Sequence, residues 1–163
     1  MLRFVSYQQL ERLQRRFRRL YGGEADRMTR RFYAALGRYG VGVHVRKPQS
    51  LWSEKDVVLI TYGDTIRSAD EAPLKTLRTF CTRHLKGAFS TVHVLPFFPW
   101  TSDDGFSVKD YRQVNAELGD WNDIKALGNE FGLMADLVLN HCSSKSEWFK
   151  EFVAGIEPGA DYF

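Results

Sequence analysis

The stretch TVHVLPFFPWTSDDGFSVKDYRQVN, residues 91–115, sets a β-branched apolar run beside a long segment rich in aromatic and acidic residues. Its first six residues, TVHVLP, have the composition of a buried strand. Pro96 ends this run, and Pro99 and Gly105 interrupt any regular element in the residues that follow. The stretch therefore predicts a strand that leads into a long irregular loop.

Further apolar runs typical of strands occur on both sides of this stretch. Strands are also predicted for DVVLITYGD, residues 56–64, and for LMADLVLNH, residues 133–141. Helices are predicted over about 73–86, 120–131 and 144–154. Strands that alternate with helices indicate βαβ units on a parallel sheet, so the sequence predicts an α/β fold.

The turn after the first predicted strand distinguishes between two folds that contain a parallel sheet, the doubly wound sheet and the (β/α)8 barrel. A doubly wound nucleotide-binding sheet requires a glycine-rich turn there, but TYGDTIRSADEAP holds one glycine. In a (β/α)8 barrel the active-site groups lie at the carboxyl ends of the strands. The polar residues of this chain follow each predicted strand, and 163 residues fall short of the ~250 that a barrel uses. We therefore predict the N-terminal part of a (β/α)8 barrel, about three βα units, as an incomplete barrel.

The start of the chain differs in charge from the rest. Residues 1–48 hold eleven Arg and one Lys against three acidic residues, 12 − 3 = +9, and the remainder carries 11 − 17 = −6. Amphipathic helices are predicted over 6–20 and 24–37, with a connector over 37–50. The surplus of positive charge in residues 1–48 would suit an anionic partner. However, apolar residues recur at helical spacing between the arginines, and no nucleic-acid-binding pattern occurs. We interpret the arginines as solvated helix faces and predict neither a nucleic acid nor a membrane partner.

Domain organisation and compartment follow from composition. Residues 1–49 are predicted to be a helical extension, and 50–163 the first units of a barrel truncated at its C-terminal end. Cys81 and Cys142 form no disulfide framework. We find no signal peptide and no apolar run of the ~20 residues that span a bilayer. The sequence predicts a cytoplasmic protein.

Three motifs carry a resemblance to a known family. They are SDDGFSVKDYRQV at 102–114, LGDWNDIKALG at 118–128 and ADLVLNH at 135–141. In this order they resemble the α-amylase superfamily, glycoside hydrolase family 13, and within it the branch of sucrose phosphorylases and glucosylglycerate phosphorylases. The last motif fits the D-x-V-x-N-H signature of that family. The resemblance covers about 50–163 well and 1–49 more loosely.

The resemblance implies a site for a glucosyl unit. Sugars present hydroxyls to carboxylates and imidazoles, and weakly apolar ring faces to aromatic side chains. Asp103 and His141 are the candidates to hydrogen-bond the glucosyl hydroxyls, with Phe106 as the apolar platform. Tyr62 and Asp64 are secondary candidates at the border of the same pocket.

Other polar residues are interpreted as structural. Asp136 is predicted to alternate with Val138 and Asn140 on one strand face and to hold neighbouring loops by hydrogen bonds. Asn140 fits a calcium ligand in some α-amylases, but the phosphorylase branch generally works without metal. His84 and His93 lack metal-ligand spacing. We predict no metal and no cofactor.

Plainer interpretations stay open for the site residues. Asp103 and Asp104 could cap a turn before Gly105, and His141 could be an ordinary residue at a strand end. Three aromatic residues of the loop are interpreted as packing residues: Phe97, Phe98 and Trp100.

The resemblance implies a retaining α-glucoside phosphorylase that uses an α-glucoside (sucrose, sucrose 6-phosphate or glucosylglycerate) and inorganic phosphate and releases α-glucose 1-phosphate. Such enzymes need two carboxyl groups ~5–5.5 Å apart, which the family takes from the fourth and fifth strands. We therefore expect no catalytic residue within this chain. An open part of a barrel leaves strand edges and apolar faces uncovered, so we also expect an inactive, marginally folded chain. An amylase-type hydrolase or isomerase and a non-catalytic sugar-binding module are the alternatives.

Overall fold

A computed structural model describes residues 7–39 and 52–163 of the chain. The chain divides into two compact units, Met1–Leu51 and Trp52–Phe163. The predicted connector over 37–50 lies almost entirely outside the described residues. None of the described helices is long and apolar enough to cross a bilayer.

The first unit is a pair of helices joined by a short turn. Its elements are α1 (Tyr7–Tyr21), a 3-10 turn (Gly22–Glu24) and α2 (Ala25–Arg38). Both predicted helices are confirmed. They contact each other through Phe17 and Phe32, whose ring centroids lie 5.7 Å apart edge to face. Leu20, one residue before the end of α1, is exposed.

The second unit contains a three-stranded parallel sheet. Its strands are β1 (Val58–Thr61), β2 (Thr91–Val94) and β3 (Gly132–Ala135), hydrogen-bonded in the order β1-β2-β3. Its helices are α3 (Pro73–His84), α4 (Trp121–Glu130) and α5 (Glu147–Ala154). The predicted alternation of strands and helices on a parallel sheet is confirmed.

Helices α3 and α4 cover one face of the sheet. The apolar core between them consists of Leu74, Val92, Val94, Ile124 and Leu127, together with the loop residues Phe97, Phe98, Val108 and Leu118. Pro73 starts α3 at a position where its missing N–H costs nothing. A capping box starts α4: the Asp120 carboxylate accepts from the N–H groups of Asn122 and Asp123, and the Asp123 carboxylate accepts from the N–H of Asp120. These local signals place both helices against the sheet.

The strands are shorter than the sequence predicts, and proline explains why. β2 ends at Val94, two residues before Pro96, which has no N–H to donate to a neighbouring strand. β3 pairs residue by residue with β2, and its last residue, Ala135, faces Val94. Beyond Ala135 no β2 residue remains to pair with. The prediction of a strand over 133–141 is therefore wrong past Ala135, and the residues predicted to share one strand face lie on a loop: Asp136, Val138 and Asn140.

Within residues 52–163, no helix covers the sheet face opposite α3 and α4. Ile60, His93 and Met134 are in-register neighbours, so their side chains point to the same face. Ile60 is 61% exposed and Met134 45% exposed, while His93 is half-buried. A closed barrel packs this face into its interior, so the exposure agrees with the expected incomplete barrel.

The uncovered face should bind an apolar dye. We expect the double variant Ile60→Thr, Met134→Gln to lower bis-ANS fluorescence, because both substitutions remove exposed apolar surface from one patch. Ile156→Thr is the matched control, since Ile156 is also exposed but lies outside the sheet. Equal fluorescence of the double variant and the unmodified chain would show that the dye, if it binds, does not bind this face.

Candidate functional site

The aromatic and acidic segment forms a hairpin-like loop after β2. Trp100 and Val108 face each other in an antiparallel bridge, and the Lys109 N–H donates to the Pro99 carbonyl at 2.7 Å. A short 3-10 turn, Asp103–Gly105, forms the tip. The predicted irregular loop is confirmed, and its backbone is internally hydrogen-bonded.

Left-handed backbone conformations build the tip of this loop. Asp103 has φ 61° and Asp104 has φ 48°, values that aspartate tolerates better than most side chains. Gly105 has φ 104°, and a Cβ atom there would lie 2.9 Å from the Pro96 carbonyl oxygen. The Phe106 N–H closes the turn on the Asp103 carbonyl at 2.9 Å. The two aspartates therefore form the turn through their backbone, and among the described residues neither side chain caps it.

The side chains of Asp103 and His141 come together across two loops. His141 Nε2 lies 3.7 Å from Asp103 Oδ2, and the two side chains are 42% and 66% exposed, respectively. A polar contact this exposed contributes little to stability. Its polar atoms are open to a ligand, and the pair combines a carboxylate acceptor with an imidazole that can donate or accept.

Two contacts to Ser143 join the loop after β3 to the loop after β2. The buried Ser143 donates its N–H to the Val108 carbonyl at 2.9 Å. Its hydroxyl oxygen lies 2.8 Å from the Thr101 hydroxyl oxygen. Ser143 is two residues after His141, so these bonds fix the far end of the segment that carries the imidazole.

Tyr111 makes the third link between the two loops, and it was not among the candidates from the sequence. Its hydroxyl donates to the Val138 carbonyl at 2.9 Å and accepts from the Val138 N–H at 2.8 Å. Burial raises the pKa of the Tyr111 phenol above its ordinary value, so the hydroxyl keeps its proton at neutral pH. The residue lies inside the motif SDDGFSVKDYRQV, but its partner is 27 residues away. No local pattern could identify that pairing.

Asp136 and His93 form a second, less exposed pair. Asp136 Oδ2 lies 3.0 Å from His93 Nε2, and both side chains are largely covered. The contact is a hydrogen bond in the tautomer that carries a proton on Nε2, which then donates to the carboxylate. The contact ties the first residue after β3 to the middle of β2.

The remaining predicted residues are not all in one place. Phe106 is half-buried beside the turn that carries Asp103. Tyr62 and Asp64 line a separate cleft of about 280 Å³ together with Trp100 and Asp104. Asp103 and His141 lie outside this lining, and the place of Tyr62 and Asp64 at the border of the glucosyl pocket stays a prediction.

The aromatic residues of the loop differ in burial. Phe97 and Phe98 are buried with ring centroids 4.4 Å apart, which confirms their predicted packing role. Trp100 is exposed, and the same prediction is wrong for it. Trp100 belongs to the hairpin bridge and lines the cleft that also contains Tyr62.

A larger cavity of about 630 Å³ adjoins His141, and Asn140, Cys142, Tyr111 and Trp148 also line it. Residues 7–39 and 52–163 hold no cluster of three or more His, Cys, Asp or Glu side chains that could bind a metal ion.

Replacing the tip glycine should disturb this site strongly. We expect Gly105→Ala to lower the free energy of unfolding by more than about 2 kcal/mol, since the methyl group meets the Pro96 carbonyl and the backbone is left-handed. Gly87→Ala is the matched control, because Gly87 has φ 86° and open space around it. Gly87→Ala should lower the free energy of unfolding by only about 1 kcal/mol. Urea unfolding measures both, and equal losses would show that the contact with Pro96 is unimportant.

Comparison with known proteins identifies the second unit. Residues 85–163 match the family model described as alpha amylase, catalytic domain. The chain is 56% identical over 108 residues to a glucosylglycerate phosphorylase of Spirochaeta thermophila, which covers 66% of this chain and 18% of that protein. It is 45% identical over 155 residues to a glucosylglycerate phosphorylase of Allomeiothermus silvanus, which covers 87% of this chain and 27% of that one.

Solved structures show the same similarity. Sucrose 6F-phosphate phosphorylase from Thermoanaerobacter thermosaccharolyticum superposes with a TM-score of 0.56 at 34% identity, over 66% of this chain and 21% of that one. The trehalulose synthase MutB from Pseudomonas mesoacidophila superposes with a TM-score of 0.60 at 28% identity, over 71% of this chain and 23% of that one. The chain thus spans roughly a fifth to a quarter of the proteins it matches.

Proposed function

Because residues 85–163 belong to the α-amylase catalytic-domain family, we propose that this chain forms one wall of the glucose site in a retaining α-glucoside phosphorylase. The reaction transfers a glucosyl unit from an α-glucoside to inorganic phosphate and gives α-glucose 1-phosphate. Glucosylglycerate is the first donor to test, since the curated relatives described above are named for it. Sucrose and sucrose 6-phosphate are the other donors.

The approach of Asp103 to His141 is the observation that carries this proposal. The two residues come from loops after different strands, and their side chains meet at the carboxyl edge of the sheet with polar atoms exposed. A carboxylate accepts bonds from sugar hydroxyls, and an imidazole bonds to the oxygen of a neighbouring hydroxyl. Phe106, three residues after Asp103, supplies an aromatic face for the ring.

Three of the described carboxylates near the strand ends have side-chain partners. Asp103 faces His141, Asp136 faces His93, and Asp64 forms an ion pair with Arg67. We assign none of these as nucleophile or acid/base. In our proposal both catalytic carboxylates come from further strands of the same barrel, outside residues 1–163.

The proposed mechanism has two displacements at the anomeric carbon. A carboxylate attacks this carbon while a carboxylic acid protonates the departing glycosidic oxygen. A phosphate oxygen then attacks the glucosyl ester from the face that the aglycone left, and the carboxylate leaves. Asp103 and His141 hold the glucosyl hydroxyls through both steps, so the same carbon stays in line with each nucleophile. The proposal includes no metal or cofactor and keeps the predicted cytoplasmic setting.

An isomerase is the second candidate, because a trehalulose synthase superposes on this chain. In that case the released sugar itself attacks the glucosyl ester, and no phosphate is consumed. A hydrolase would use water at the same step. The accepting group therefore distinguishes the candidates.

Phosphorolysis by the native protein that contains this chain tests the proposal. We expect α-glucose 1-phosphate to appear only when phosphate is present. Asp103→Asn should lower kcat/KM by roughly 10- to 100-fold, because a charge-assisted hydrogen bond to the glucosyl unit is worth about 1.5–3 kcal/mol.

Asp104→Asn is the matched control for this assay. Asp104 is the adjacent residue in the same turn, but its side chain lines the separate cleft with Tyr62. The control should stay within about threefold of the native kcat/KM, the scatter expected of a residue that does not touch substrate. Product formation without phosphate would support the isomerase or hydrolase instead, and equal losses in both variants would remove Asp103 from the site.

A further inference from the structure

We propose that Tyr111 is a positioning residue, whose hydroxyl sets the place of His141 and thereby the strength of glucosyl binding. The ligand in this proposal rests on the proposed function. The effect on His141 rests on the structure and does not depend on the ligand.

The first step concerns the backbone after β3. Past Ala135 the chain has lost its pairing with β2, so the N–H and C=O groups of the loop need other partners. The Tyr111 hydroxyl serves both groups of Val138, since a phenol donates one hydrogen bond and accepts another. A single side-chain atom therefore replaces the strand partner at this residue.

The second step shows that packing does not hold this segment. Leu137 is 67% exposed and Leu139 is 82% exposed, so the residues on either side of Val138 are not anchored by apolar burial. The hydrogen bonds to Tyr111 are the contacts that fix the backbone between Asp136 and His141 among the described residues.

The third step concerns the rigidity of Tyr111 itself. Its ring packs edge to face on the buried Phe98 at 4.8 Å and stacks on Trp148 at 5.9 Å. Phe98 belongs to the core between the sheet and the helices. The hydroxyl is thus held at a fixed place relative to β2 and its loop.

The fourth step joins these contacts to the site. His141 lies between two anchors, Val138 bound to Tyr111 and Ser143 bound to Val108. Both partners belong to the segment after β2, which also carries Asp103. The Tyr111 hydroxyl therefore holds one end of the segment from Val138 to Ser143, and in this way it controls the distance between His141 and Asp103.

Tyr111→Phe is the test, because it keeps the ring and its stacking and removes only the hydroxyl. We expect the variant of the full chain to bind glucose about tenfold more weakly, in line with the loss of one positioned interaction. We also expect the imidazole NMR resonances of His141 to stop responding to Asp103→Asn. Tyr39→Phe is the matched control, since the Tyr39 side chain is 79% exposed and does not line the cavity beside His141, and it should change neither readout.

The outcomes separate positioning from a purely structural role. If Tyr111→Phe lowers the unfolding temperature but leaves the His141 response and the glucose affinity unchanged, the proposal is overturned. If the native protein that contains this chain binds no glucose, the proposed function fails, and the His141 resonances still decide the question of positioning.

A second variant covers the case in which Tyr111→Phe does not fold. Incorporation of 3-fluorotyrosine at position 111 keeps the ring and the hydroxyl and makes the phenol a stronger donor. We expect the His141 resonances to shift relative to a chain with 3-fluorotyrosine at position 39, which is exposed and does not line the cavity beside His141. Unchanged His141 resonances in a folded chain would overturn the proposal.

Discussion

The loop after β3 has no strand to pair with, because β2 ends at Val94 in front of Pro96. The hydrogen bonds that this loop needs come instead from the long segment after β2. Tyr111 binds both backbone groups of Val138, and Val108 accepts from the N–H of Ser143. Because β2 ends at Val94, the loop after β3 is held by residues of the segment after β2. This loop carries His141, whose imidazole faces Asp103.

Different residues of the site stabilise the fold and are available to bind a ligand. Phe98 and Val108 are buried, whereas the polar atoms of Asp103 and His141 are exposed. The turn at Asp103–Gly105 adds a second separation, since Asp103 faces His141 while Asp104 lines another cleft. Substitutions at the exposed pair should therefore act on binding and hardly on stability.

Much of this fold follows from sequence patterns, since strands that alternate with helices and polar residues at strand ends are local signals. The sequence could also bring Asp103 and His141 to one edge of the sheet, as both follow parallel strands. It could not show where β3 ends, because that depends on how far its partner strand extends. The bond from Tyr111 to Val138 was equally hidden, since it joins residues far apart along the chain. Trp100 was misjudged because composition does not tell which aromatic residue faces a cleft.

The most direct test is to locate a bound sugar on the chain by NMR. Uniformly ¹³C-labelled glucose is added at saturating concentration, and nuclear Overhauser contacts to aromatic and imidazole protons are recorded. Our account predicts contacts from the ring protons of glucose to Phe106 and His141, and their loss in Asp103→Asn. Contacts to Tyr62 and Trp100 alone, or no contacts at all, would contradict it.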